Sequence, residues 1–134
     1  MAQVIIFTNH NGGVSVCIPT GEMDIEAVKA KDTPSSSIIV DSADLPQADN
    51  DFFNAWELAD GVVTVNLDKA KELTRARLRV ERVALLEAQD VLYMRAVEEN
   101  TSTANIVAEK QRLRDITTLV DGCATTQELR ELTV

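Results

Sequence analysis

The sequence predicts an α+β protein, with a small β-rich module in residues 1–66 and an antiparallel helical hairpin with a short terminal helix in residues 67–134. Three observations carry this. The first half is made of short β-branched runs separated by Gly-containing turns. From Leu67 to about Glu99 there is no Gly and no Pro, and helix formers dominate. The charge also changes at that point. Residues 1–66 hold two lysines against ten acids, a net of −8, whereas residues 67–134 hold eleven basic and twelve acidic residues, a net of −1.

Val4-Ile5-Ile6-Phe7 and the alternating Val14-Ser15-Val16-Cys17-Ile18 flank Asn9-His10-Asn11-Gly12-Gly13, which predicts a β-hairpin. Asp24 is placed to cap a short helix to about Lys31, with Ile25 and Val28 on one face. Thr33-Pro34-Ser35-Ser36-Ser37 stops that helix, and Ile38-Ile39-Val40 is a third strand. A polar loop from Asp41 to Asp51 follows. Asn54–Leu58 and Val62–Val65 then flank Ala59-Asp60-Gly61, where Asp-Gly is a strong hairpin signal. Phe52, Phe53 and Trp56 alternate on a strand in this reading. Trp56 is assigned to the core, and Phe52 is open between the core and a partner-facing aromatic patch.

Asn66 is a suitable N-cap for the long helix, and Asp68 suits the dipole of its first turn. At 1.5 Å per residue the helix is ~50 Å long. A module of 66 residues cannot bury such a helix, so part of it is expected to form an arm that needs company from another polypeptide. Leu78, Leu85 and Leu92 recur every seven residues. Arg75, Arg82 and Gln89 occupy the partner positions, so the pattern is not a clean coiled coil. Val83-Ala84-Leu85-Leu86 is apolar all round, so two contact faces are expected around residues 80–97. A charge in place of Leu85 is expected to cost several kcal/mol. The basic stretch from Lys69 to Arg82 reads first as a solvated helix face, with attraction to the acidic first half, within the chain or between copies, as the alternative. Asn100–Thr103 is a polar break, with Thr103 capping a second helix that carries Ile106, Leu113 and Val120 inward. Gly122 ends this helix in a left-handed conformation, and Thr125-Thr126-Gln127-Glu128 is a capping box for a last short helix with Leu129 and Leu132.

At 45% hydrophobic and 26% charged residues, the chain has an ordinary globular composition rather than a disordered one. No run approaches the roughly 18 apolar residues of a membrane span, and MAQVIIFTNH lacks the features of a secretory signal. A net charge of −9 argues against nucleic acid or an anionic membrane as the partner. Cys17 and Cys123 are isolated thiols suited to a reducing cytosol and to small buried positions. With His10 as the only histidine, Cys and His cannot supply a zinc site. His10 reads as an exposed turn residue. The Asp41–Asp51 stretch fails the calcium-loop pattern, since Ala43 and Pro46 stand where an oxygen ligand and a glycine are needed. No phosphate loop, GxSxG or HExxH is present. The expectation is no enzyme activity, no catalytic residue, no cofactor and no metal.

The order of several segments carries a resemblance. Val4-Ile5-Ile6-Phe7-Thr8-Asn9, Gly12-Gly13-Val14 and Asp51-Phe52-Phe53-Asn54-Ala55-Trp56-Glu57-Leu58 resemble small proteins encoded near the tail-fibre genes of tailed bacteriophages. Leu67-Asp68-Lys69-Ala70, Leu78-Arg79-Val80-Glu81-Arg82, Leu85-Leu86, Met94-Arg95-Ala96-Val97-Glu98, Lys110–Thr117 and Thr126-Gln127-Glu128-Leu129 are similar to the C-terminal part of phage tail and tail-fibre assembly chaperones. The resemblance implies a component of the tail or tail-fibre apparatus that binds other proteins and carries over no catalytic residue. An assembly factor in the cytoplasm of the infected bacterium is the first expectation. A permanent virion part, such as a connector or fibre-attachment protein of the tail, is the alternative, and a metal-binding regulator using Asp41–Asp51 is the remote one. The expected partners are a phage tail or tail-fibre protein and a second copy of the chain. Leu78, Leu85, Leu86, Leu92 and Phe52 are the candidate contact residues.

Overall fold

The computed structural model describes residues 2–134 and is α+β, with five strands in two small antiparallel sheets followed by a mainly helical second half. The chain divides into two compact units, one ending at Ala70 and the other spanning Lys71–Val134. The division lies four residues after the change in sequence pattern, because the first turn of the long helix belongs to the first unit. Ala70 is fully buried there, and Lys69 pairs with Glu57 at 2.9 Å.

In the first unit, β1 (Gln3–Thr8) is the middle strand of a sheet ordered β2-β1-β3, with β2 at Val14–Cys17 and β3 at Ile38–Asp41. Ile6 faces Val16 on one side and Ile38 on the other. The β1–β2 turn is held by Asn9, whose side-chain oxygen accepts the N–H groups of Asn11 and Gly13. Gly12 there has φ +82°, and His10 is exposed as expected. The second sheet pairs β4 (Trp56–Ala59) with β5 (Val62–Val65). Its two-residue turn needs positive φ at both positions, and Asp60 (53°) and Gly61 (77°) supply it. Val4, Ile6, Val14, Trp56 and Val63 form one core cluster. Ile5 points to the opposite face of β1 and is also fully buried, on the side of the sheet free for α1 (Ile25–Asp32) and its buried Val28. Asp24 sits at the N-cap of α1 but makes no side-chain cap bond.

Phe52 and Phe53 are not on a strand. Residues Gln47–Ala55 form kinked 3-10 turns after Pro46, and the Trp56 indole N–H donates to the Asp49 carbonyl across them. Tight turns place side chains on neither a period of two nor one of 3.6, so alternation fails here. Phe52 is 6% exposed and is a core residue, which withdraws it from the candidate contact surface.

The second unit contains most of α2 (Leu67–Glu98), then α3 (Ala104–Asp115), a 3-10 run (Ile116–Gly122) and α4 (Thr126–Glu131). Asn66 caps α2 as expected, its side-chain oxygen accepting the Lys69 N–H at 3.1 Å. Asn100 closes α2 with φ +56°, Thr101 N–H reaching the Ala96 carbonyl and Asn100 N–H that of Val97. The expected Thr103 cap does not form, and the Ser102 hydroxyl accepts the Ala104 N–H instead. Nor is Gly122 left-handed. The helix tightens into 3-10 geometry after Asp115, and its last carbonyls are closed by bonds such as Cys123 N–H to Val120. Thr125 caps α4 through its hydroxyl to the Glu128 N–H, and Leu129 is fully buried.

Candidate functional site

The hairpin is antiparallel, and its register is set largely by side chains that cross from α2. Lys110 meets Asp90 at 2.6 Å near the turn. Arg82 donates to the carbonyls of Leu113 and Arg114, and Arg75 pairs with Asp121. Arg77 donates to the carbonyls of Leu129 and Leu132 at the end of α4. The basic stretch is therefore not merely a solvated face. Arg75 and Arg82, which spoil the leucine repeat, face the partner helix because they stand three residues before Leu78 and Leu85. Arg82 there satisfies carbonyls that the C-terminus of α3 leaves open, where positive charge is favourable. The signal was the combination of arginines on the inner helix face with a second helix of opposite direction.

The inner seam is narrow. Leu78 and Leu113 are fully buried, and Ala96 is nearly so. Leu78 is thus interior to the hairpin, which removes it from the candidate contact residues. Leu86 is half-buried at the edge of the seam. Leu85 and Leu92 are 41% and 44% exposed, so both stand at an accessible surface. A charge at Leu85 would reach water, and the large folding cost expected for it does not apply.

Apolar exposure extends through the stretch 80–97 in which two contact faces are expected, beyond the candidate residues themselves. Val80 (76%), Val83, Val91, Met94 (59%) and Val97 are also exposed on α2, and Val107 is exposed on α3. At 100° per residue these do not share one stripe. Leu85 and Leu92 border the seam on one side, Val97 stands on the other, and Val80, Val83, Val91 and Met94 spread over the outer face. Two helices that touch along one seam leave most of each helix circumference open. Contiguous apolar surface of this kind marks interaction sites. Tyr93 lies under the Lys110 ammonium, 5.3 Å from its ring centroid.

The chemistry-bearing residues are dispersed. Cys17 is half-buried on β2 and Cys123 is buried near α4, where burial first and then Glu128 raise its thiol above the ordinary pKa. Asp41 turns its carboxylate onto the Ala43 N–H, a local turn bond. Among the described residues, no three His, Cys, Asp or Glu side chains are grouped to hold a metal ion, and no helix is long and apolar enough to cross a membrane. The first unit has an apolar cleft of about 330 Å³ beside Ile6, Val40 and Leu45, with Asp44 as its one titratable group. Comparison with protein-family models, with curated proteins and with solved structures gives no match to this chain.

Proposed function

We propose that this chain is a non-enzymatic protein-binding component of a phage tail or tail-fibre apparatus, acting as an assembly factor for the fibre. The observation that carries the binding role is the series of exposed large apolar side chains from Val80 to Val97 on a two-helix hairpin. Such a surface costs free energy in water, at about 25 cal/mol per Å² of apolar area, and a partner that covers it recovers that amount. The phage context rests on the resemblance of the ordered segments from Val4 to Leu129 to tail-fibre-region proteins.

The test is affinity capture from infected bacteria that make the chain, with mass spectrometry of what is retained. The wild type is expected to retain a tail or tail-fibre protein. Val83→Asp or Met94→Asp is expected to lose it at least tenfold while the melting temperature changes little, because both residues are more than half exposed. Retention by both variants, or no tail protein with the wild type, overturns the reading. Stoichiometric presence in purified virions would replace the assembly factor with the permanent virion part.

A further inference from the structure

The face of α2 that carries Leu92 is complementary to itself. Counting outward from Ala88 in steps of four, three and four residues gives Ala84, Glu81 and Arg77 in one direction and Leu92, Arg95 and Glu99 in the other. At 3.6 residues per turn these positions fall within one stripe of α2. From Glu81 to Glu99 every residue of the stripe is exposed, and Leu85 and Val91, both exposed, flank it.

We propose that this stripe takes a second copy of the chain, with the two α2 helices antiparallel across a two-fold axis at Ala88. The inference rests on the reading of the hairpin as a protein-binding surface and names its occupant. A two-fold interface is isologous: if residue i meets residue j of the partner, j meets i. Pairing about Ala88 sets Glu81 level with Arg95 and Ala84 level with Leu92, each twice. Opposite charges meet at both ends, large apolar residues face small ones between them, and Ala88 meets itself at the centre, where the backbones come nearest. Arg77 and Glu81 already pair within the chain at 2.9 Å, so a second copy extends that pair to its Arg95. The outer face fails the same operation. An antiparallel axis that matches Val83 with Val91 brings Glu87 onto its own copy, and like charges at the centre repel. Two hairpins joined through the Ala88 stripe form a four-helix arrangement that leaves Val83, Met94 and Val97 open for a different protein.

Sedimentation equilibrium of the full chain tests this. The wild type is expected to be a dimer. Glu81→Arg and Arg95→Glu, each placing like charges opposite one another twice, are expected to weaken dimerisation at least tenfold. The double variant Glu81→Arg with Arg95→Glu restores the pairing and is expected to recover the dimer. A melting temperature near the wild-type value shows that each variant is folded. As a measurement independent of affinity, Ala88→Cys in a chain with Cys17→Ser and Cys123→Ser is expected to form an inter-chain disulfide on mild oxidation, whereas Val80→Cys in the same background does not. A wild type that stays monomeric, a double variant that remains as weak as the singles, or equal cross-linking from both cysteines overturns the proposal. A monomer that still captures a tail protein overturns the dimer and leaves the binding function standing. A dimer that captures no tail protein does the reverse.

Discussion

Val4, Ile5 and Ile6 are consecutive in β1, and all three are buried. In α2, Val91, Leu92, Tyr93 and Met94 are also consecutive, and all four are exposed. Both segments are apolar runs of similar length. What differs is the number of layers that reach them. β1 is the central strand of its sheet, so Val4 and Ile6 meet the core cluster with Trp56 and Val63 on one face, while Ile5 is covered on the other. The end of α2 has one neighbour, α3, which covers a single seam. In β1 the apolar run is buried by folding, and at the end of α2 it remains exposed.

The largest effects should come from cavities in the two interiors, and they can be read separately. Trp56 is the only tryptophan and lies in the first unit, while most of the helix lies in the second. Ile6→Ala and Leu113→Ala each remove a fully buried side chain and are expected to cost about 2–5 kcal/mol. In urea, Ile6→Ala should lower the midpoint seen by Trp56 fluorescence and move the helical circular dichroism signal less. Leu113→Ala should do the opposite. If both probes move together in both variants, the chain unfolds as one cooperative body and the contrast between the halves has no thermodynamic meaning.

The same contrast governs how much could be read before any coordinates. The strands of the first unit were legible because their turns need particular backbones: Asn9 with Gly12, and Asp60 with Gly61, mark both hairpins. The long helix was legible from its propensity and from Asn66. Phe52 was not, because the 3-10 turns of Gln47–Ala55 follow no simple period. Leu78 is expected at a partner contact because a heptad repeat does not say which of its leucines the chain itself covers. Leu78 lies where α3 and the 3-10 run after it cross α2, whereas Leu85 and Leu92 lie along the edge of the seam. Arg77 and Arg82 read as part of a solvated face for a related reason: their partners are main-chain carbonyls some 30 to 55 residues away, and no local pattern announces such a bond.

Helix starts offer a finer comparison of the two units. At the start of α2 Asn66 caps the helix and also donates to Glu57 at 2.9 Å. At the start of α3 Thr103 makes no cap bond. Asn66→Ala is expected to cost about 1 kcal/mol, and Thr103→Ala no more than a few tenths. Thermal melts followed by fluorescence and circular dichroism check both. A larger loss at Thr103 would mean that its hydroxyl has a role the local geometry does not suggest.

The smallest effect is electrostatic and distinguishes the units by pH. Hydrogen bonds from Lys69 first, and then Asn66, hold the Glu57 carboxyl below its ordinary pKa, and the Arg112 guanidinium does the same for Glu109. A carboxyl whose pKa is lower in the folded state contributes stability above its unfolded value and loses that contribution as pH falls through the folded one. Both carboxylates are partly exposed to solvent, so salt should weaken each contribution. Glu57→Gln should therefore flatten the acid decline of the Trp56 melting temperature, and Glu109→Gln should flatten that of the helical signal, each most clearly at low salt. If Glu57→Gln left the acid decline of the Trp56 signal unchanged, the Lys69 pair would contribute nothing to the first unit. If it altered the helical signal equally, the first turn of α2 would transmit stability into the hairpin, and the boundary at Ala70 would be a change of packing without a change of cooperativity.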